Sequence, residues 1–289
     1  MVIWQLNLAK RLGFLLGLFG LFCLSQACKA SPFSVTLSSL QQQQLAQKIE
    51  QRETAGKTVN LTFWSKHESF PSFGIGHFIW LPENSSQPFQ QTFPELVDYL
   101  ALKSEPPSWL KNQTNLVLPW QTRQQFYADF EGQKLLQLRN WLQQTKQLQA
   151  EFIFQRFLKQ VNHAKSTLND QQHRIVNQQL KRLTSSSKGL FALIDYVNFK
   201  GVGNNKFEVY LDGTKQVGWG LIDVFLSSYN YSDDGLNDFV QSAKNVLKRR
   251  ANLSEQQTEK RWLKGWYHRL ESYLEPSYLE VETSSDIKQ

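Results

Sequence analysis

Apolar residues at Leu37, Leu40, Leu45 and Ile49 recur at roughly the helical period and predict a helix over Leu37–Glu53. Gln41–Gln44 should lie on its wet face, and Gly56 supplies the stop. Glu53 extends the apolar stripe by one step of four, so a carboxylate stands where a core residue is expected. From Asn60 to Leu81 the pattern changes to dense Trp, Phe and Gly, which suits short strands and turns. Pro82–Pro94 reads as loop, and Phe93-Pro94 opens a short helix through Leu102. Breaks follow at Glu105-Pro-Pro107 and Leu118-Pro119, and Gln121–Leu183 then carries spaced Leu, Phe and Ile that predict two or three helices. Ser185-Ser-Ser187 caps the next helix, whose stripe is Leu190, Phe191, Ile194 and Val197 and whose stop is Lys200-Gly-Val-Gly203. A short strand and Asp-Gly turn over Phe207–Gly213 precede helices near Trp219–Ser228, Leu236–Arg249 and Glu255–Leu274. The pattern implies an α+β fold, predominantly α, with one small sheet near the N-terminus and no internal repeat.

The first thirty residues stand outside this pattern. Lys10 and Arg11 precede an apolar run from Leu12 to Leu24, and Ser25-Gln-Ala27 offers the small residues that signal peptidase reads. A signal peptide over 1–27 is expected, with residue 30 as the other end point. The run is short for a membrane span, so export to the periplasm or medium is the reading. Cys28 offers a lipid anchor as the alternative, although Ser25 stands where a lipobox has an aliphatic residue. Both cysteines, Cys23 and Cys28, lie here, so the remaining chain forms no internal disulfide. What remains is roughly 260 residues, enough for one large domain with a real core. We expect a single domain over 31–275, a helical insertion near 121–183 and a disordered tail over 276–289. The formal charge of +7 loses two units with Lys10 and Arg11, and a mildly basic exported protein suits an anionic surface such as a cell wall. Ordinary solubility charge explains it equally well.

Glu53 is the leading candidate for chemistry. Burial and the negative end of the helix dipole both disfavour its ionised form, so its pKa is expected to rise. Glu68 follows fifteen residues later, enough chain to form a strand and return across a cleft. A raised carboxyl facing a second carboxylate is the arrangement that acid-assisted glycoside cleavage needs. Carboxyl groups about 5–5.5 Å apart would give retention and about 6.5–9.5 Å inversion. The competing structural reading pairs Glu53 with Arg52, Lys57 or a backbone donor and leaves Glu68 as an exposed hairpin charge. His67, Glu68 and His77 match no compact metal spacing, so neither a metal nor a cofactor is expected. Among the tryptophans, Trp64 and Trp80 bracket the Gly74-Ile-Gly76-His77 segment and are the two placed near the cleft, in substrate-binding or structural roles with His77. Asn198, four residues beyond Ile194, faces inward and either braces the hairpin or binds substrate.

Three patches carry a family resemblance. Ser72-Phe-Gly-Ile-Gly-His77 resembles the Thr-Ile-Gly-Ile/Tyr-Gly-His turn that follows the catalytic glutamate of phage-type lysozymes. Ala192-Leu-Ile-Asp-Tyr-Val-Asn198-Phe-Lys-Gly201 is similar to their later core helix, and Leu247-Lys-Arg-Arg250 followed by Trp262 to their C-terminal segment. The resemblance covers a modest part of the chain. It implies a lysozyme-like fold, a peptidoglycan substrate cleaved at β-1,4 bonds, and Glu53 as general acid. Lys66 stands where the family has an aspartate, so Glu68 would substitute from a shifted position, and Ser72 replaces the threonine as a water-positioning hydroxyl. The longer stretch from glutamate to hairpin is closer in kind to chitosanases. The Gly74-Ile-Gly-His-Phe-Ile-Trp80 string also resembles exported bacterial proteins that contribute no function. A lytic transglycosylase using Glu53 alone, and an inactive glycan-binding or envelope scaffold, are the alternatives. The expected partner is peptidoglycan or a related polysaccharide; no nucleic acid is implied.

Overall fold

Helix α1, Ser39–Thr54, starts where the local chemistry caps it. The Ser38 hydroxyl accepts from the Gln41 amide at 3.3 Å, and the Gln41 side chain accepts from the Ser38 amide at 2.9 Å. Leu45, Ala46 and Ile49 are buried as the stripe predicts, but Leu40 is 58% exposed. Gln41 is not simply wet: its amide donates to the Ser187 hydroxyl at 2.8 Å, tying α1 to a later helix. The helix ends in two successive left-handed residues, Ala55 and Gly56, so the expected glycine stop is reached one residue early.

The computed structural model describes residues 31–87, 90–111, 115–203, 209–227 and 232–276. The leader expected over 1–27 or 1–30 and the tail from residue 277 lie outside them, as does the start of the strand expected from Phe207. The chain divides into Met1–Pro32 and Phe33–Gln289, and the description that follows concerns the second unit.

After a 3-10 turn at Thr58–Leu61 come β1 (Thr62–Phe63), β2 (Ser72–Phe73) and β3 (Phe78–Ile79). They form an antiparallel sheet in the order β1-β2-β3, with Thr62 opposite Phe73 and Phe73 opposite Phe78. Helices α2 (Phe93–Ala101) and α3 (Ser108–Lys111) follow. The Gln121–Leu183 stretch holds four helices, not the two or three expected: α4 (Arg123–Ala128), α5 (Gln133–Gln144), α6 (Lys146–Lys165) and α7 (Asp170–Thr184). The additional boundary is set by caps inside the apolar pattern. Thr122 and Asn169 build capping boxes with Gln125 and Gln172, and Thr145 alone separates α5 from α6.

Helix α8, Ser187–Lys200, is capped by Ser186 and buried without interruption from Gly189 to Val197. A helix buried on every side is a core element, and α1, α6, α7 and the later α9 all pack on it. The hairpin of β4 (Tyr210–Asp212) and β5 (Lys215–Val217) contains a second strand that the pattern did not announce. Helices α9 (Leu221–Ser227) and α10 (Gly235–Leu253) follow. The single helix expected over Glu255–Leu274 is three pieces: a 3-10 stretch Glu255–Trp262, helix α11 (Leu263–Glu271) and a 3-10 turn Ser272–Leu274. Gln257 at φ 55 sits within the first piece, where the Ser254 hydroxyl accepts from the Glu259 amide. The fold is mostly helical with a small antiparallel sheet. No helix among the described residues is long and apolar enough to cross a membrane.

Candidate functional site

The turn between β2 and β3 is built for close approach. Gly74 has φ 72, and a Cβ there would lie 2.4 Å from Gln149 Oε1. A Cβ on Gly76 would lie 2.8 Å from the Phe78 ring. Gln149, on α6, is fully buried, accepts from the Ile75 amide at 2.9 Å, and donates to the Leu142 carbonyl and Thr145 hydroxyl. Every polar group of this buried amide therefore has a partner, which holds the turn against α6. His77 leaves the turn at φ 50, a left-handed conformation that histidine adopts more readily than most residues.

That turn delivers His77 to Glu53: Nδ1 lies 3.3 Å from Oε2. The other carboxylate oxygen accepts from Arg269 Nη2, on α11, at 2.6 Å. Arg269 also forks onto Asp195 of α8, with Nε to Oδ2 at 2.9 Å and Nη2 to Oδ1 at 2.7 Å. Arg52 donates to Asp195 Oδ2 at 3.1 Å and to the Ser272 hydroxyl at 2.5 Å, and the Tyr273 hydroxyl donates to Asp195 as well. Burial opposes the charge on Asp195, but Arg269, Arg52 and Tyr273 outweigh it and hold the pKa below the usual aspartate value. Burial lowers the pKa of His77, Arg269 adds to that, and Glu53 opposes it. The Nε2 atom of His77 is buried with no hydrogen-bond partner. The isolated acid expected at position 53 instead has both oxygens engaged, one by Arg269 and one by His77. Its partners are Arg269 and His77 rather than Arg52 or Lys57.

The other sequence candidates lie elsewhere. Glu68 is exposed in the loop between β1 and β2; the surrounding segment desolvates its carboxyl and raises its pKa, with His67 opposing. Its backbone carbonyl accepts from the Trp64 indole at 3.0 Å. Ser72 is buried in β2 between Phe63 and Ile79. Trp64 and Trp80 are core residues. Trp64 packs edge-on against Phe126, and Trp80 packs against Phe73 and Phe93 while its indole donates to the Leu116 carbonyl. Asn198 is half-buried near the end of α8. Two surface hollows, one beside Glu105, Pro107 and Trp141 and one beside Leu81, Gln91 and Leu118, include none of these residues. Among the described residues no group of three or more His, Cys, Asp or Glu side chains converges as a metal site requires.

Three members of the cluster carried no role in the sequence reading: Asp195, Arg269 and Tyr273. One signal was there to find. An aspartate inside the apolar run Leu190–Val197 must meet a buried cation, because an uncompensated charge on a fully buried helix is too costly to keep. Nothing local identifies that cation as Arg269, seventy-four residues on. The chain matches no protein-family model, no curated protein and no solved structure.

Proposed function

We propose that the protein is an exported, lysozyme-like glycan hydrolase acting on the β-1,4 bonds of peptidoglycan, with Glu53 as its central carboxylate. One observation carries the reading. The end of α1, the Gly-Ile-Gly-His turn and the middle of α8 are far apart in the chain, yet Arg269 bridges Glu53 to Asp195 and His77 meets the other oxygen of Glu53. A carboxylate held at the junction of two helices and a sheet turn is the kind of rigid mounting that acid or electrostatic catalysis uses. Glu53 has a built environment whereas Glu68 lies in an exposed loop, so Glu53 carries the acid role in this reading and a transglycosylase using Glu53 alone is the variant within it. Arg269 occupying one oxygen at 2.6 Å favours a second reading, a glycan-binding envelope protein without turnover.

The test is product release from purified peptidoglycan, resolved by mass, for wild type, Glu53→Gln and Glu68→Gln, with thermal melts confirming that each is folded. Reducing-end products lost in both variants mean a hydrolase with two carboxylates. Anhydro-sugar products lost only with Glu53→Gln mean a transglycosylase. Binding without release selects the second reading, and neither binding nor release overturns both.

A further inference from the structure

The C-terminal helical segment presents two unlike sides. Inward, Arg269 reaches Glu53 and Asp195, Leu270 is buried, and the Trp266 ring lies under Lys200 at 3.5 Å. Outward, Lys260, Arg261, Lys264 and His268 are all exposed. The 3-10 stretch runs directly into α11, so spacings of three and four residues place these groups along one side. No acidic residue occurs from Lys260 to Leu270. The nearby carboxylates are mostly turned elsewhere: Glu259 pairs with Arg250 at 2.6 Å, and Glu271 with Lys244 at 2.6 Å, leaving Glu255 exposed at the start of the stretch. None of the four outward groups takes part in an ion pair among the described residues.

Apolar surface accompanies this charge. Trp262 is 47% exposed beside Arg261, whose guanidinium carbon lies 5.0 Å from the ring. A polyanion in water is matched by cations alone. Cations with an exposed tryptophan beside them suit a boundary that is charged outside and apolar beneath.

We propose that this face docks the protein on an anionic lipid bilayer, with Lys260, Arg261 and Lys264 among the headgroups and Trp262 at their level. The same helix holds Arg269 against Glu53, so docking brings the candidate site to the membrane surface. The proposal stands apart from the catalytic reading.

The test is co-sedimentation of the unit from Phe33 onward, which contains the whole described core, with phosphatidylcholine vesicles with and without phosphatidylglycerol. Binding should require the anionic lipid and weaken at high salt. The Arg261→Glu/Lys264→Glu double variant should bind at least about tenfold more weakly, since each basic group near an anionic surface is worth roughly fivefold. Trp262→Ala should weaken binding too, while Lys159→Glu on α6 should leave it unchanged, all with wild-type melting curves. Equal binding by the double variant, or equal binding to neutral vesicles, overturns the proposal. So does failure on vesicles with retention on soluble polyphosphate, which would identify a polyanion site.

Discussion

Hairpin β2–β3 carries glycine where a methyl group has no room, whereas β4–β5 carries it where a methyl group meets nothing. Gly74 and Gly213 have similar backbone angles, φ 72 and φ 63. A Cβ on Gly74 would strike the buried Gln149 amide, while a Cβ on Gly213 has no neighbour within 4 Å. The first hairpin is buried on both strands and packed against α6; the second is exposed over most of its length. Only the first delivers a side chain to the charged cluster. Similar local geometry therefore serves two purposes, a rigid mounting for His77 and a plain surface turn, and packing is what separates them.

Three measurements test that contrast. The largest effect is expected for Gly74→Ala, at about 3 kcal/mol in denaturant unfolding: roughly 1–2 from left-handed strain and the rest from displacing the Gln149 hydrogen bonds. Gly213→Ala should cost only the strain, about 1 kcal/mol. Equal losses at the two positions would mean that the Gln149 contact does not distinguish the hairpins. The smallest effect should emerge only below neutrality. The pKa of His77 is lowered from 6.5 in the folded state, so the unfolded chain binds more protons and stability falls as pH drops below about 6.5. Glu53 and Arg269 face this imidazole and set the size of the effect. His77→Gln should flatten the pH dependence of unfolding between pH 6.5 and the carboxylate range. An unchanged slope would mean that the imidazole is not held neutral against Glu53.

Legibility followed the range of the interactions. The stripe at Leu45 and Ile49, the Ser186 cap and the glycine-rich turn were readable because each depends on residues within a turn or two. The four helices of the 121–183 region were undercounted because a capping box at Thr122 or Asn169 is a polar detail inside an apolar pattern. Trp64 and Trp80 bracket the glycine turn in sequence, yet both rings turn into the core, Trp64 onto Phe126 and Trp80 onto Phe73 and Phe93. Glu53 was singled out correctly as a carboxylate on an inward stripe. Its neighbours could not be read, because they come from α8 and α11.

Local pattern alone accounts for a mostly helical chain with a small glycine-turned sheet and an inward-facing glutamate at the end of the first helix. These follow from periodicity and backbone preference, which act locally. Long-range packing is what makes Arg269 fork between Glu53 and Asp195, Gln149 lock the His77 turn, and the cations from Lys260 to His268 share an outer face. Side-chain charges at separations such as 216 residues meet only when the core has packed, and packing energy is a property of the whole contact surface rather than of any segment.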